Sequence, residues 1–151
     1  MSGNIKELQI SFNPFVERKR ILRAMNESKL FSLIKNLYPD LQKTEEFDSS
    51  DVFSLVKKFR AELKCRYEHY DNLLIEKIKW DKLMQCDDEK VLYICSTTEG
   101  IWMFNIKELP EPIWEVQMHN KTTEFSNNDK IPKLVGFYDL NQGKEITNKL
   151  I

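Results

Sequence analysis

Eight consecutive residues, Phe59 to Arg66, alternate without exception: Phe59, Ala61, Leu63 and Cys65 are apolar, while Arg60, Glu62, Lys64 and Arg66 are charged. Successive side chains of a strand leave opposite faces, so this period of two predicts a strand with one buried and one charged face. Asp51–Val56, rich in Val, Phe and Leu, predicts a preceding partner strand, with Lys57–Lys58 as the exposed turn. Neither lysine favours the positive φ of a tight hairpin. A second pattern runs through the same stretch. Val52, Leu55, Val56, Phe59, Leu63, Tyr67, Tyr70 and Leu74 also recur at helical spacing, so one long helix from Ser50 to about Gln85 stays open. The charged alternation and the aromatic and β-branched content favour the strands.

The flanking segments predict a mixed architecture. Asn13 can cap a helix over about Pro14–Met25, with Pro14 at its first position and Glu17 in its first turn. Ser28–Tyr38 carries Leu30, Phe31, Leu33, Ile34 and Leu37 as a helical stripe that Pro39 ends, and the polar run Asp40–Ser50 reads as a loop. Tyr70–Gln85 predicts a helix marked by Leu73, Leu74, Ile78 and Asp81. Val91–Ser96 and Ile101–Ile106 flank the turn Thr97-Thr98-Glu99-Gly100, a hairpin signal. Beyond Pro110 and Pro112, Ile113–Met118 and Leu134–Leu140 are strand candidates, Lys121–Lys130 is loop-like, and the tail has a helical tendency. Helices on a strand-rich centre define an α/β (α+β) class, with a central mixed sheet flanked by helices. The 151 residues suit one domain spanning 1–151.

Composition removes several functions. Lys+Arg 23 against Asp+Glu 24 leaves a net charge of −1, so no global basic excess points to nucleic acid, although a local basic face is compatible with it. Four glycines, at Gly3, Gly100, Gly136 and Gly143, form no phosphate-cradling loop. Cys65, Cys86 and Cys95 are odd in number and unclustered, which argues against a disulfide framework or a cysteine zinc site and for reduced thiols in the cytoplasm. No apolar run reaches the ~20 residues of a membrane span, and Met1–Asn4 does not open a secretory signal.

On the strand reading, Glu62 and Lys64 leave the same face about 7 Å apart. Asp51 lies beside them if the two strands pair. Two carboxylates and an ammonium at one polar sheet edge suit phosphodiester hydrolysis: hard oxygen ligands hold Mg²⁺ or Mn²⁺, which polarises the phosphate and lowers the pKa of bound water. The lysine adds a compact positive charge for the attacking water and the developing phosphorane oxygens. On the helical reading Glu62 and Lys64 project about 200° apart and this site does not form.

Asp51, ten intervening residues, then Glu62-Leu63-Lys64, followed by a lysine-bearing helix and two more strands, resembles the core of the PD-(D/E)XK nuclease superfamily. Its shared, restriction-endonuclease-like core runs helix, three strands, helix, strand, and the match spans about Pro14 to Ile106. The resemblance implies metal ligation by Asp51 and Glu62, a contribution from the Leu63 carbonyl, and catalysis by Lys64. It also implies an additional ligand at Glu17 on the first helix, and phosphate-facing basic groups at Arg66 and at Lys77 or Lys79. Asp51 follows Ser50 where the family has Pro, and no first core strand is evident between Asp40 and Ser50.

The expected function is metal-dependent hydrolysis of DNA, with a homodimer suited to cutting both strands. The rival expectation is an inactive nuclease-like or helical module acting as an interaction or assembly factor, which the near-neutral charge favours. His69 and His119 belong to no ligand motif and read as ordinary histidines, although His69 lies close enough in sequence to approach the site. Trp80, Trp102 and Trp114 read as core, Asp87-Asp88-Glu89 as a solvated turn, and Arg18-Lys19-Arg20 with Arg23 as a charged helix face.

Overall fold

The computed structural model describes residues 13–44, 51–120 and 129–151. Helix α1 (Pro14–Arg23) begins where the Asn13 side chain accepts the Phe15 amide at 3.0 Å. Helix α2 (Glu27–Leu37) begins where Asn26 accepts the Lys29 amide at 2.8 Å, satisfying a donor that the first helical turn leaves unpaired. Next come strands β1 (Gln42–Lys43), β2 (Asp51–Ser54), β3 (Phe59–Cys65) and β4 (Asn72–Glu76), helix α3 (Lys77–Met84), and strands β5 (Lys90–Ser96) and β6 (Ile101–Asn105). Strands β7 (Glu115–Asn120), β8 (Lys130–Asp139) and β9 (Lys144–Glu145) and the short helix α4 (Thr147–Leu150) complete the described elements. Among the described residues, no helix is long and apolar enough to cross a membrane.

A six-stranded mixed sheet has the order β1-β2-β3-β5-β6-β9, and a three-stranded antiparallel sheet the order β4-β8-β7. Strands β3 and β5 are parallel, and the β4–α3 segment forms the crossover between them. The apolar residues of β3 do what their alternation predicts: Ala61 and Leu63 join Leu22, Leu30 and Ile34 in a core between the large sheet and helices α1 and α2. The opposite face carries a second core, in which Val91, Tyr93 and Cys95 of β5 meet Phe104, Leu73, Ile75 and Tyr138. Strand β5 feeds both cores, which is why its sequence is apolar without interruption. Burial pushes the Cys95 thiol up to about 11, consistent with an inert core residue.

Three expectations are corrected. The helix Tyr70–Gln85 is a strand followed by a shorter helix, β4 then α3, and the long helix Ser50–Gln85 does not form. The run Leu73-Leu74-Ile75 is too short for its period to separate helix from strand, and pairing with β8 decides it: Leu73 and Ile75 enter the second core. Ile78, counted as a core mark of the helix, is 74% exposed. Between Asp40 and Ser50, Gln42–Lys43 forms β1 and pairs with β2, while residues 45–50 lie outside the described residues. Residues 121–128 of the expected loop Lys121–Lys130 also lie outside them.

The β2–β3 hairpin solves the turn problem with Lys58 at φ 56°, a left-handed conformation that costs about 1–2 kcal/mol for a residue with a Cβ. The Asp40 carboxylate braces the turn, accepting the Ser54 hydroxyl at 2.9 Å and the Val56 amide at 3.0 Å. The Val56 amide is the chief reason that the Asp40 pKa lies below its ordinary value. Replacing Lys58 with glycine is expected to raise stability by about 1 kcal/mol, read as a higher urea midpoint at unchanged slope. An unchanged or lower midpoint would mean that the turn is not under this strain.

Candidate functional site

The charged half of the β3 alternation faces the second sheet rather than open solvent. Strand β4 is the edge of that sheet, and its Leu74 carbonyl accepts the Arg66 guanidinium at 2.9 Å and the Tyr93 hydroxyl at 2.9 Å. Burial pushes the Tyr93 pKa well above its ordinary value, keeping the hydroxyl a neutral donor to that carbonyl. Burial works against the Arg66 charge, but the neighbouring Tyr93 and Cys95 outweigh it and its pKa is raised. Beside this junction a cleft of about 230 Å³ opens between the sheets, and Glu62, Lys64, Arg66, Glu76, Lys79 and Lys133 supply its charges.

Glu62 is 5% exposed, and its Oε1 lies 3.7 Å from Lys79 Nζ on α3. Across the cleft Lys133 Nζ on β8 donates to Glu76 Oε1 at 2.9 Å. Buried carboxylates need such partners, because leaving one unpaired in a low-dielectric setting costs several kcal/mol. Four cationic side chains face two carboxylates in this lining, so the cleft favours an anionic ligand although the whole chain is near neutral. Lys64 follows Glu62 by two residues on the same strand and lines the same cleft.

Asp51 opens β2 at the rung directly across from Glu62, with Val52 opposite Ala61 and Phe53 opposite Arg60. The Asp51 side chain lies outside the described residues. Leu63 is 1% exposed, its side chain in the helix-side core and its backbone one residue beyond the last described rung with β2.

The remaining expected residues divide. Lys79 and Arg66 line the cleft. Lys77 does not: it pairs with Asp81 at 2.8 Å, lies over the Trp114 ring and lines a neighbouring depression that shares Glu76 and Lys133 with the cleft. Glu17 does not line it either. It is ion-paired with Arg20 on α1, whose Leu22 packs into the core on the other face of the large sheet. His69 is held by Thr97, Nδ1 to Oγ1 at 2.9 Å, against Trp102, and it too lies outside the cleft lining. His119 does line it, with Nε2 2.9 Å from Gln117 Oε1. Glu76 and Lys133 are cleft residues that the sequence reading missed. Their signal was the strand character of 72–76 and 130–139, which puts them on neighbouring strands, and the helical reading of the first segment concealed it. Asp88 of the acidic turn holds Arg60 at 3.1 Å, and Trp80 donates to the Tyr138 hydroxyl at 3.0 Å inside the second core.

Among the described residues, no three or more His, Cys, Asp or Glu side chains gather closely enough to cage a metal ion. Mg²⁺ does not require such a cage, since it commonly binds one or two carboxylates and completes its shell with water and substrate phosphate. The Glu62 carboxylate in the cleft lining is a hard oxygen donor of the kind that Mg²⁺ takes. The chain defines a mixed α/β fold with a polar cleft between two sheets. No protein-family model matches it, and neither a curated protein nor a solved structure does.

Proposed function

We propose that the protein is a divalent-metal-dependent nuclease acting on DNA. The observation that carries this reading is the rung Asp51–Glu62, with Lys64 two residues further along the same strand and lining a cation-rich cleft. Opposed residues of an antiparallel pair have Cα atoms about 4.5–5.5 Å apart and share a sheet face. Further support comes from the element order α2, β1, β2, β3, α3, β5, which is the helix, three strands, helix, strand order of the superfamily that the sequence resembles, with β4 inserted before α3.

In this reading Asp51 and Glu62 hold Mg²⁺ or Mn²⁺, with the Leu63 carbonyl as an additional ligand. When bound there, such an ion would polarise the scissile phosphate and acidify a bound water. Lys64 places its ammonium beside the attacking water and offsets charge developing on the phosphate oxygens. Arg66 and Lys133, with Lys79, give the DNA backbone its cationic contact. Lys79 pairs with Glu62, and a cation held by that carboxylate would leave the lysine available to phosphate.

Incubation of plasmid, single-stranded and branched DNA with the protein is expected to give cleavage with Mg²⁺ or Mn²⁺ and none with a chelator. Mn²⁺ is expected to raise the Tm of the native protein and not that of Asp51→Ala, because an ion that binds only the folded state stabilises it. Failure of both results would overturn the reading and leave the rival one, a nuclease-like fold serving as an assembly factor.

A further inference from the structure

The cleft does not end at Arg66. It runs on into a groove of about 610 Å³, to which Lys64, Arg66 and His119 also belong, and along which Tyr67, Tyr70 and Phe137 supply aromatic surface. Tyr67 is 79% exposed and Tyr70 49% exposed, three residues apart on the connection between β3 and β4. The connection needs neither ring for core packing. Tyr70 is nevertheless held: its hydroxyl donates to Glu68 Oε2 at 2.9 Å, which occupies that carboxylate and steadies the ring. Aromatic rings left in a groove beside cations make the arrangement that binds unstacked bases, with ring faces for the bases and charge for the backbone.

We infer that this groove binds a single-stranded nucleic-acid segment, its bases against Tyr67 and Tyr70 and its phosphates passing Lys64 and Arg66 into the cleft. The inference deepens the nuclease reading by naming the form of the substrate, and it rests on that reading only for the cleavage step. A continuous duplex keeps its base faces stacked inside the helix, whereas a single strand, flap or unpaired end presents them.

The test is fluorescence anisotropy with a labelled oligothymidylate and with a labelled duplex of equal length, in chelator so that no strand is cut. The single strand is expected to bind at least tenfold more tightly than the duplex. Tyr67→Ala and Tyr70→Ala should each weaken it by roughly 5- to 150-fold, the range for loss of one stacked base, while Tyr67→Phe, which keeps the ring, keeps the affinity. Equal binding of the two forms, or alanine variants that bind like the native protein, would overturn the inference. Tyrosine-dependent single-strand binding without metal-dependent cleavage would uphold the groove and refute the nuclease. Cleavage insensitive to both tyrosines would do the reverse.

Discussion

Lys64→Ala protein is expected to lose about 10²–10³-fold in metal-dependent cleavage while keeping the Mn²⁺-induced rise in Tm. The two readouts separate because Lys64 has no part in holding the ion in this reading: its ammonium acts on the water and on the phosphate oxygens. Glu62→Ala is expected to lose both, since it removes the proposed metal ligand and leaves Lys79, its partner at 3.7 Å, facing the cleft without that carboxylate. Lys64→Arg should rescue little, because a planar guanidinium spreads the charge that an ammonium concentrates. Lys79→Ala removes a cation from the cleft together with a partner of the Glu62 carboxylate. It weakens substrate binding, seen as a higher KM, with a smaller change in kcat. Full activity in Lys64→Ala protein would remove the catalytic role from Lys64, whatever cleavage the chain performed.

Much of that site was legible because a strand with one core face writes its register into the sequence. The period-two run from Phe59 fixes which residues enter the helix-side core, and Glu62 and Lys64 then share the other face. What covers that face was not legible. Leu73-Leu74-Ile75 fits a helix or a strand equally well, and its fate depends on a partner more than fifty residues later, Gly136 to Tyr138 of β8. Local propensity carries no information about a pairing so distant, and for that reason Glu76 and Lys133 escaped notice and Glu62 was read as lying on an open face. Charge balance misled in a similar way. A chain of net charge −1 still gathers four cations around two carboxylates, because the rest of the sequence carries the compensating excess of acid. Glu17 and Lys77 rest on the family resemblance alone, and neither lines the cleft: Glu17 borders a pocket on α1, and Lys77 a neighbouring depression beside Glu76 and Lys133.

The cleft exists only while the small sheet stays seated on the large one, and Phe104 is central to that contact. Its side chain is fully buried, stacked on Tyr138 of the small sheet at 5.3 Å between ring centroids and 6.3 Å from Tyr93, whose hydroxyl holds the β4 edge. Phe104→Ala is expected to cost about 3–5 kcal/mol, the lost transfer of a phenyl ring plus the cavity it leaves. For a chain of this size that corresponds to a fall in Tm of roughly 6–20 °C. Gly143 offers an independent check on the same packing. A Cβ built there would lie 2.6, 2.8 and 2.9 Å from atoms of the Phe104 ring, and the ring, buried against Tyr138, has little room to give. Gly143→Ala alone is therefore expected to cost about 1–3 kcal/mol by overpacking. In the Phe104→Ala background the added methyl meets empty space, so its penalty should vanish and the two changes should couple strongly. Thermal melts of the four proteins complete the cycle. Simple additivity would show that Gly143 does not press on Phe104, and a small effect of Phe104→Ala would show that the two sheets are held together elsewhere.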